Sequence, residues 1–250
     1  QPRGDVWWGG TGDPHLQAAQ EGLTAQYESP MLAELQPWAV QQAEAADYRT
    51  VGIYAGALGF GYNTDLVDPT SENAPKCWAD LLDEAYRGEI QVANPNSSGT
   101  AYTLLATLVQ LMGEDEAFEY LVSLDDNVAQ YTSSGSAPIR AAGTGETTIG
   151  IVFMHDSVTQ AVRGSPIATV APCEGTGYEI GSMSLIEGGP NPDNAKIWYD
   201  WALSPAAQEL GQQAESYQVP SNAGAATPEE SPNLEDILLI DYDFATYGDS

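Results

Sequence analysis

The sequence predicts an α/β protein built on mostly parallel sheets with helices on both faces. Three observations carry that prediction. Short runs rich in Val, Ile, Tyr and Phe alternate with amphipathic stretches, the rhythm of strand–helix–strand units. Twice, at 89–112 and at 128–142, a strand-like run ends in a Ser/Gly-rich turn that opens a helix. With 250 residues, 42% of them hydrophobic, and a mean hydropathy of −0.27, the chain has material for a sizeable core in one or two domains. No apolar run approaches the roughly 18 residues of a membrane span.

The elements follow in order. D-V-W-W-G-G reads as a strand, Val6 to Trp8, and a glycine turn. Thr11 or Asp13 stands where a helix cap belongs, and Pro14 suits a first turn. The N–H groups of such a helix start form an anion or hydroxyl site, although the pattern alone fits a plain strand-to-helix turn. Helical sequence continues through Gly22. Tyr48 to Leu66 interleaves glycines with β-formers and predicts a strand pair or one long bent strand. Trp78 to Tyr86 predicts a short helix and Glu89 to Ala93 a strand.

The turn Ser97-Ser98-Gly99-Thr100 then opens a helix that runs to Met112. Its apolar residues at 101, 104, 105, 108, 109 and 112 form one face, and Gly113 ends it. This turn is not a phosphate-binding loop of the G-x-x-x-x-G-K type, whose lysine and spacing are missing. Glu114 to Leu124 predicts a helix and Val128 to Tyr131 a strand. Ser133 to Ser136 and a helix from Pro138 to Ala142 follow. Thr147 to Met154 predicts a strand that ends at His155 and Asp156, before a helix from Ser157 to Arg163 and a strand from Ile167 to Ala171. Glu179 follows a glycine-rich bend and leads into the strand S-M-S-L-I. An amphipathic helix over 191–203 and a second helix started by Ser204 and Pro205 come next. The segment from Ser221, rich in Ala, Pro, Glu and Asp, is expected to pack loosely as far as Ile237 to Tyr242.

Charge narrows the partners. There are 36 acidic residues against 7 basic ones, a net charge of −29, so nucleic acid and anionic membranes are excluded as partners. The acids are spread along the chain and only Lys76 and Lys196 are lysines, a surface suited to strong salt, where repulsion is screened within a few ångströms. A salt-adapted, halophilic source is the reading; an ordinary acidic secreted protein is the alternative. Cys77 and Cys173 lack metal-site spacing, and two thiols alone make a poor zinc site. They fit one disulfide in an exported protein, a pairing the sequence leaves open. A strand so close to Gln1 suggests the remainder of a longer precursor whose signal segment is not in this chain.

His155, Asp156 and Glu179, one imidazole and two carboxylates at strand ends, suggest a polar ligand site. The residues alone leave three chemistries open: a metal site, an acid–base pair of a hydrolase, or a set that reads hydroxyl groups. No nucleophile–base pair, cofactor motif or nucleophile elbow supports catalysis, and no cofactor is expected. Trp8 and Tyr62 read as core aromatics or as candidates to stack on a ligand.

Several motifs in order carry a resemblance. G-x-L-G-F-G-Y-N-T-D, W-A-D-L-L-D-E-A-Y-R-G-E-I, N-P-N-S-S-G-T-A-Y, G-I-V-F-M-H-D, E-G-T-G-Y-E-I-G and W-A-L-S-P-A-A-Q-E-L resemble the extracellular solute-binding proteins of ABC importers, in the branch usually labelled ferric-iron-binding. The resemblance implies a two-lobe binding-protein fold of type II with a ligand cleft between lobes. The lobes would be 1–63 plus 179–250, and 64–178, with crossings near Gly59–Asn63 and Gly177–Ser182. An N-terminal strand, helix and strand of the family are absent here. It also implies a monomer outside the cytoplasmic membrane, not an enzyme, that serves a membrane permease. Ferric-binding members carry adjacent tyrosines where this chain has Met154-His155-Asp156, and this sequence has no Tyr-Tyr pair. The chain is more similar to the hexose-phosphate-binding members. By position, His155, Asp156 and Glu179 would bond sugar hydroxyls. Ser97, Ser98, Gly99 and Thr100, with Ser134, Gly135 and Ser136, would take the phosphate, and Thr11 would close from the other lobe. Metal, phosphonate and thiamine ligands remain alternatives of the same architecture.

The salt-adapted reading makes a prediction. Between low and molar NaCl the chain should gain about 1–2 kcal/mol, or roughly 2–8 °C in melting temperature; a flat curve in a thermal melt series refutes it.

Overall fold

Hydrophobic burial organises the chain around two separate cores. The computed structural model describes residues 2–247, and these divide into two compact units, 2–55 with 179–229 and 243–247, and 56–178 with 230–242.

In the first unit, β1 (Val6–Trp8) precedes α1 (Gly12–Gln20), β2 (Thr24–Ala25) and α2 (Pro37–Ala45). The long strand β3 (Val51–Asn63) begins here and ends in the second unit. The second unit holds β4 (Ile90–Ala93), α3 (Gly99–Met112), α4 (Glu114–Asp125), β5 (Val128–Thr132), α5 (Ala137–Thr144), β6 (Ile149–Phe153), α6 (Met154–Val162) and β7 (Ile167–Val170). The chain returns through β8 (Tyr178–Ile186) to α7 (Pro192–Ala202), α8 (Pro205–Gln208), α9 (Leu210–Gln213) and β9 (Val219–Pro220).

The sheets are mixed rather than mostly parallel. β4 runs parallel to both β5 and β6, the three strands joined by helical crossovers. β3 runs antiparallel to β6, β7 and β9, and β8 antiparallel to β1 and β2. Parallel pairing needs a crossover of a dozen or so residues, and the connections within β4–β5–β6 supply it.

The strand β3 changes units after Ala55, earlier than the expected boundary at residue 63. Up to Ala55 it pairs with β9, and from Leu58 it pairs with β6 and β7. Residues 230–242 belong with the second unit, because Thr176 N–H donates to Leu238 O and Ile240 N–H to Thr176 O, each at 2.9 Å. The chain therefore passes between units four times, at 55/56, 178/179, 229/230 and 242/243.

Three local expectations are corrected. Residues 78–86 form two 3₁₀ turns, Ala79–Leu82 and Glu84–Tyr86, because Asp83 is extended and its carboxylate caps Ala85 N–H at 2.9 Å. The helix started by Ser204 is divided between α8 and α9. The side chains of Gln208 and Glu209 accept from Asn222 N–H at 2.7 Å and Ala226 N–H at 3.0 Å. For the same reason the segment from Ser221 is anchored at its start: Ser221 and Asn222 are 0% and 1% exposed, and Asn222 Nδ2 donates to Leu203 O at 2.8 Å, while most of 223–236 is exposed.

The first core gathers Leu35, Val51, Ile53, Met183, Leu185 and Tyr199. The second gathers Leu58, Phe60, Trp78, Leu108, Ile149 and Ile151. Two paired glycines let helices seat on the second sheet. A Cβ on Gly150 would lie 2.6–2.7 Å from the backbone of Pro138 and Ile139, and one on Gly61 would lie 2.5 Å from the Ile139 and Ser157 side chains. Gly61 and Gly150 face each other across β3 and β6. No other residue fits there without moving α5 and α6.

Cys77 and Cys173 form a disulfide, with Cα atoms 4.7 Å apart and a sequence separation of 96. The joint is continued by Glu174, whose carboxylate accepts Trp78 and Ala79 N–H at 2.8 Å each, and by Cys173 N–H to Lys76 O at 3.0 Å. Closing so long a loop restricts the unfolded chain, so reduction should cost about 2–4 kcal/mol. Urea denaturation with and without reductant checks this, and an unchanged midpoint contradicts it.

Candidate functional site

Three parallel neighbours, β5, β4 and β6, each run into a helix at the carboxyl end: α5, α3 and α6. A helix start leaves N–H groups without intrahelical acceptors and carries a partial positive charge. At all three the N-cap residue, Ser136, Ser98 or Phe153, makes no side-chain capping bond. Carboxyl ends of strands in an open α/β sheet are where ligands sit.

The turns before α3 and α5 are brought together. Asn94 N–H donates to Thr132 O at 2.7 Å. A Cβ on Gly135 would lie 3.0 Å from Thr100 Cβ and 3.1 Å from Ser98 Oγ, so a side chain here would displace the other turn. Ser97, Ser98, Gly99 and Thr100 therefore adjoin Ser134, Gly135 and Ser136. Ser134 and Ser136 hydroxyls lie 3.5 Å apart. Arg140, one turn into α5, donates from Nη1 to Ser136 Oγ at 2.7 Å.

His155 and Asp156 do not end a strand. β6 stops at Phe153, and Met154 already belongs to α6, so both residues lie in the first helical turn. The strand enters the helix without a loop, and an acidic residue in a first turn is favoured by the helix dipole. His155 is buried and stacks on Phe153 with ring centroids 5.7 Å apart. Burial pushes its imidazole down to about 4, so it is neutral near pH 7. Its Nε2 lies 4.0 Å from Asp156 Oδ1 without forming an ion pair. Burial pushes the Asp156 carboxyl up to about 6, and the Arg140 charge opposes that rise.

Thr11 and Glu179 belong to the first unit. Thr11 is the buried N-cap of α1 and makes no capping bond. Gly12 packs on Ile180 O and Ser182 Oγ, so Thr11 adjoins the strand stretch that begins with buried Glu179. Asp13, in the first turn of α1, is buried with Oδ1 unpartnered among the described residues, and burial raises its carboxyl to about 6. His15 is fixed in one tautomer: Nε2–H donates to Gly9 O at 3.0 Å, and Nδ1 accepts from Ser184 Oγ at 2.7 Å. Burial lowers it to about 4.

Tyr62 is 4% exposed and belongs to the second core, so it is not a stacking platform. Trp8 is 51% exposed, edge-on to Trp198 at 5.0 Å. Sequence reading missed Arg140; its spacing of four from Ser136 on a helix was the available signal. Burial of Asp13 and His15 left none. Among the described residues the one grouping with metal-ligand spacing is Cys77, Cys173 and Glu174, whose sulfurs are already joined.

Three helix starts without side-chain caps at adjacent strand ends, with hydroxyls beside them, suit a small polar solute. Residues 11–246 match the bacterial extracellular solute-binding proteins, and the chain belongs to that family. Its fold is that of the periplasmic binding proteins, which bind a small solute and deliver it to the membrane permease of an ABC importer. A protein of Haemophilus influenzae is 47% identical over 252 residues, 99% of this chain and 72% of that one. The periplasmic binding protein AfuA from Actinobacillus pleuropneumoniae, with fructose 6-phosphate bound, superposes with a TM-score of 0.94 at 44% identity, over 99% of this chain and 78% of that one. The periplasmic binding protein P5PA gives 0.93 at 40% identity, over 99% and 79%. Among the described residues no helix is long and apolar enough to cross a membrane.

The buried groups predict a pH signature. Asp13 and Asp156 stay protonated in the fold up to about 6 but ionise near their ordinary 3.8 when unfolded, so their contribution is lost as pH rises from about 4 to 6. His15 and His155, neutral in the fold down to about 4 but protonated below 6.5 when unfolded, lose theirs as pH falls through the same window. The two pairs oppose each other. Asp13→Asn removes one carboxyl, and stability should then fall by about 1.4 kcal/mol per pH unit on acidification from 6 to 4, relative to the parent. Urea midpoints at pH 4, 5, 6 and 7 check this.

Proposed function

We propose that this protein captures a small phosphate-bearing solute, a sugar phosphate in the first place, outside the cytoplasmic membrane for import. The observation that carries the reading is the trio of uncapped helix starts at Gly99, Ala137 and Met154 on adjacent strand ends. Phosphate takes N–H groups at helix starts without a lysine, and the hydroxyls of Ser97, Ser98, Thr100, Ser134 and Ser136 add donors. His155 and Asp156 read sugar hydroxyls. The likeness to AfuA with fructose 6-phosphate bound supports the same class of ligand. The protein acts as a monomer, by binding and release, with no cofactor and no turnover.

A net charge of −29 opposes an anion at long range, but that field is screened beyond roughly 10 Å at 0.1 M salt. Direct N–H contacts at the seat act inside that distance. Ferric iron is disfavoured because the adjacent tyrosines of the ferric-binding members are lacking.

Calorimetry with fructose 6-phosphate, glucose 6-phosphate, inorganic phosphate, 2-aminoethylphosphonate and ferric citrate tests the reading. Sugar phosphates should bind, and His155→Ala and Asp156→Ala should each weaken them about 10- to 150-fold while the melting curve stays cooperative. Binding of ferric citrate alone, or of the phosphonate in preference to sugar phosphates, overturns it.

A further inference from the structure

The seat contains one residue whose placement is electrostatically unusual. An exposed arginine on a helix ordinarily extends into water. Arg140 instead curls back along α5 and bonds Ser136 at the helix start. That brings a cation to the positive end of a helix dipole, where cations are disfavoured. The neighbouring starts of α3 and α6 add positive ends of their own. The Asp156 carboxyl on α6 lies close enough to feel the guanidinium and partly offsets this.

Other basic groups are engaged elsewhere. Arg49 donates to Thr24 O, Arg87 approaches Asp126 at 3.8 Å, and Lys196 lies over the Tyr27 ring. Arg163 ends α6, at the far end of that helix from His155 and Asp156. Among the described residues, Arg140 makes its hydrogen bond to Ser136 and no other. Most of its planar fork of donors, the geometry that matches phosphate oxygens in pairs, is thus left for a ligand.

Resting on the reading of a phosphate-bearing ligand, we propose that Arg140 is the specificity-determining residue of the seat. Its guanidinium completes the ring of donors at the three helix starts and sets the preference for a phosphate ester over the free sugar. Ser136 positions it, and Asp156 balances its charge while the seat is empty. The seat's N–H groups and hydroxyls serve neutral oxygens as well as charged ones. The guanidinium is what makes the second charge of a phosphate favourable.

The test is calorimetry on the whole chain with glucose 6-phosphate, glucose and inorganic phosphate, for the parent, Arg140→Gln and Arg140→Lys. Arg140 is exposed, so both variants should keep the parental melting curve. Arg140→Gln should weaken glucose 6-phosphate about 10- to 100-fold, abolish competition by inorganic phosphate, leave the weak affinity for glucose unchanged, and flatten the salt dependence of Kd. Arg140→Lys, which keeps the charge and loses the fork, should fall between them. If the parent binds glucose 6-phosphate and Arg140→Gln binds it with the same Kd and salt slope, the role of Arg140 is refuted and the sugar-phosphate reading stands. A parent that binds neither phosphate compound overturns both. Equal losses for glucose and its phosphate show a merely structural residue and refute the specificity role.

Discussion

The seat depends on a missing pair of side chains. Gly61 and Gly150 face each other across β3 and β6, and the notch they leave receives Ile139 of α5 and Ser157 of α6. Gly150 also pairs with Gln91 of β4. One glycine thus links three strands and the underside of a helix. Because interiors are packed like organic crystals, a methyl group at either position would push α5 outward. It would carry Ser134, Gly135 and Ser136 away from Ser98 and Thr100. The chemistry of the site is local, but its dimensions are set by this backbone contact beneath it.

Periodic and turn-rich features were legible in the sequence. α3 and α4 lie within a residue of where apolar spacing and Gly113 put them, and both Ser/Gly turns open helices at strand ends. What was not legible depends on partners distant in sequence. His155 and Asp156 lie in a helix because β6 enters α6 without a loop, and no residue between Ile149 and Ser157 marks that change. Mixed sheet pairing could not be read from alternation, which reports crossovers and says nothing of the long strand β3. The segment around Asn222 has the composition of a loop, yet Leu203, Gln208 and Glu209 hold it in place. Composition registers apolar burial well and satisfied polar burial poorly.

The electrostatics separate into two ranges. At long range the molecule is strongly anionic, which favours solubility and repels polyanions. At contact range three helix ends and a guanidinium face one small region of the second unit. The first unit presents a different surface, with α1 beginning at an uncapped threonine but carrying the buried carboxyl of Asp13 in its first turn. That carboxyl competes with any anion for the same helix start.

The bridge between Cys77 and Cys173 has a topological meaning apart from its energy. It closes the segment between the two cysteines, which carries β4 through β7 and most of the second core, into a covalent ring. Exposed turns in that ring, such as those around Asn96, Ser133 and Gly164, are where proteases cut first. A single cut in a ring releases nothing: both new ends stay tethered through the sulfurs, and strands already paired can remain so. In the oxidising spaces where disulfides persist, the unit that carries the proposed anion seat is thereby protected against loss by one nick.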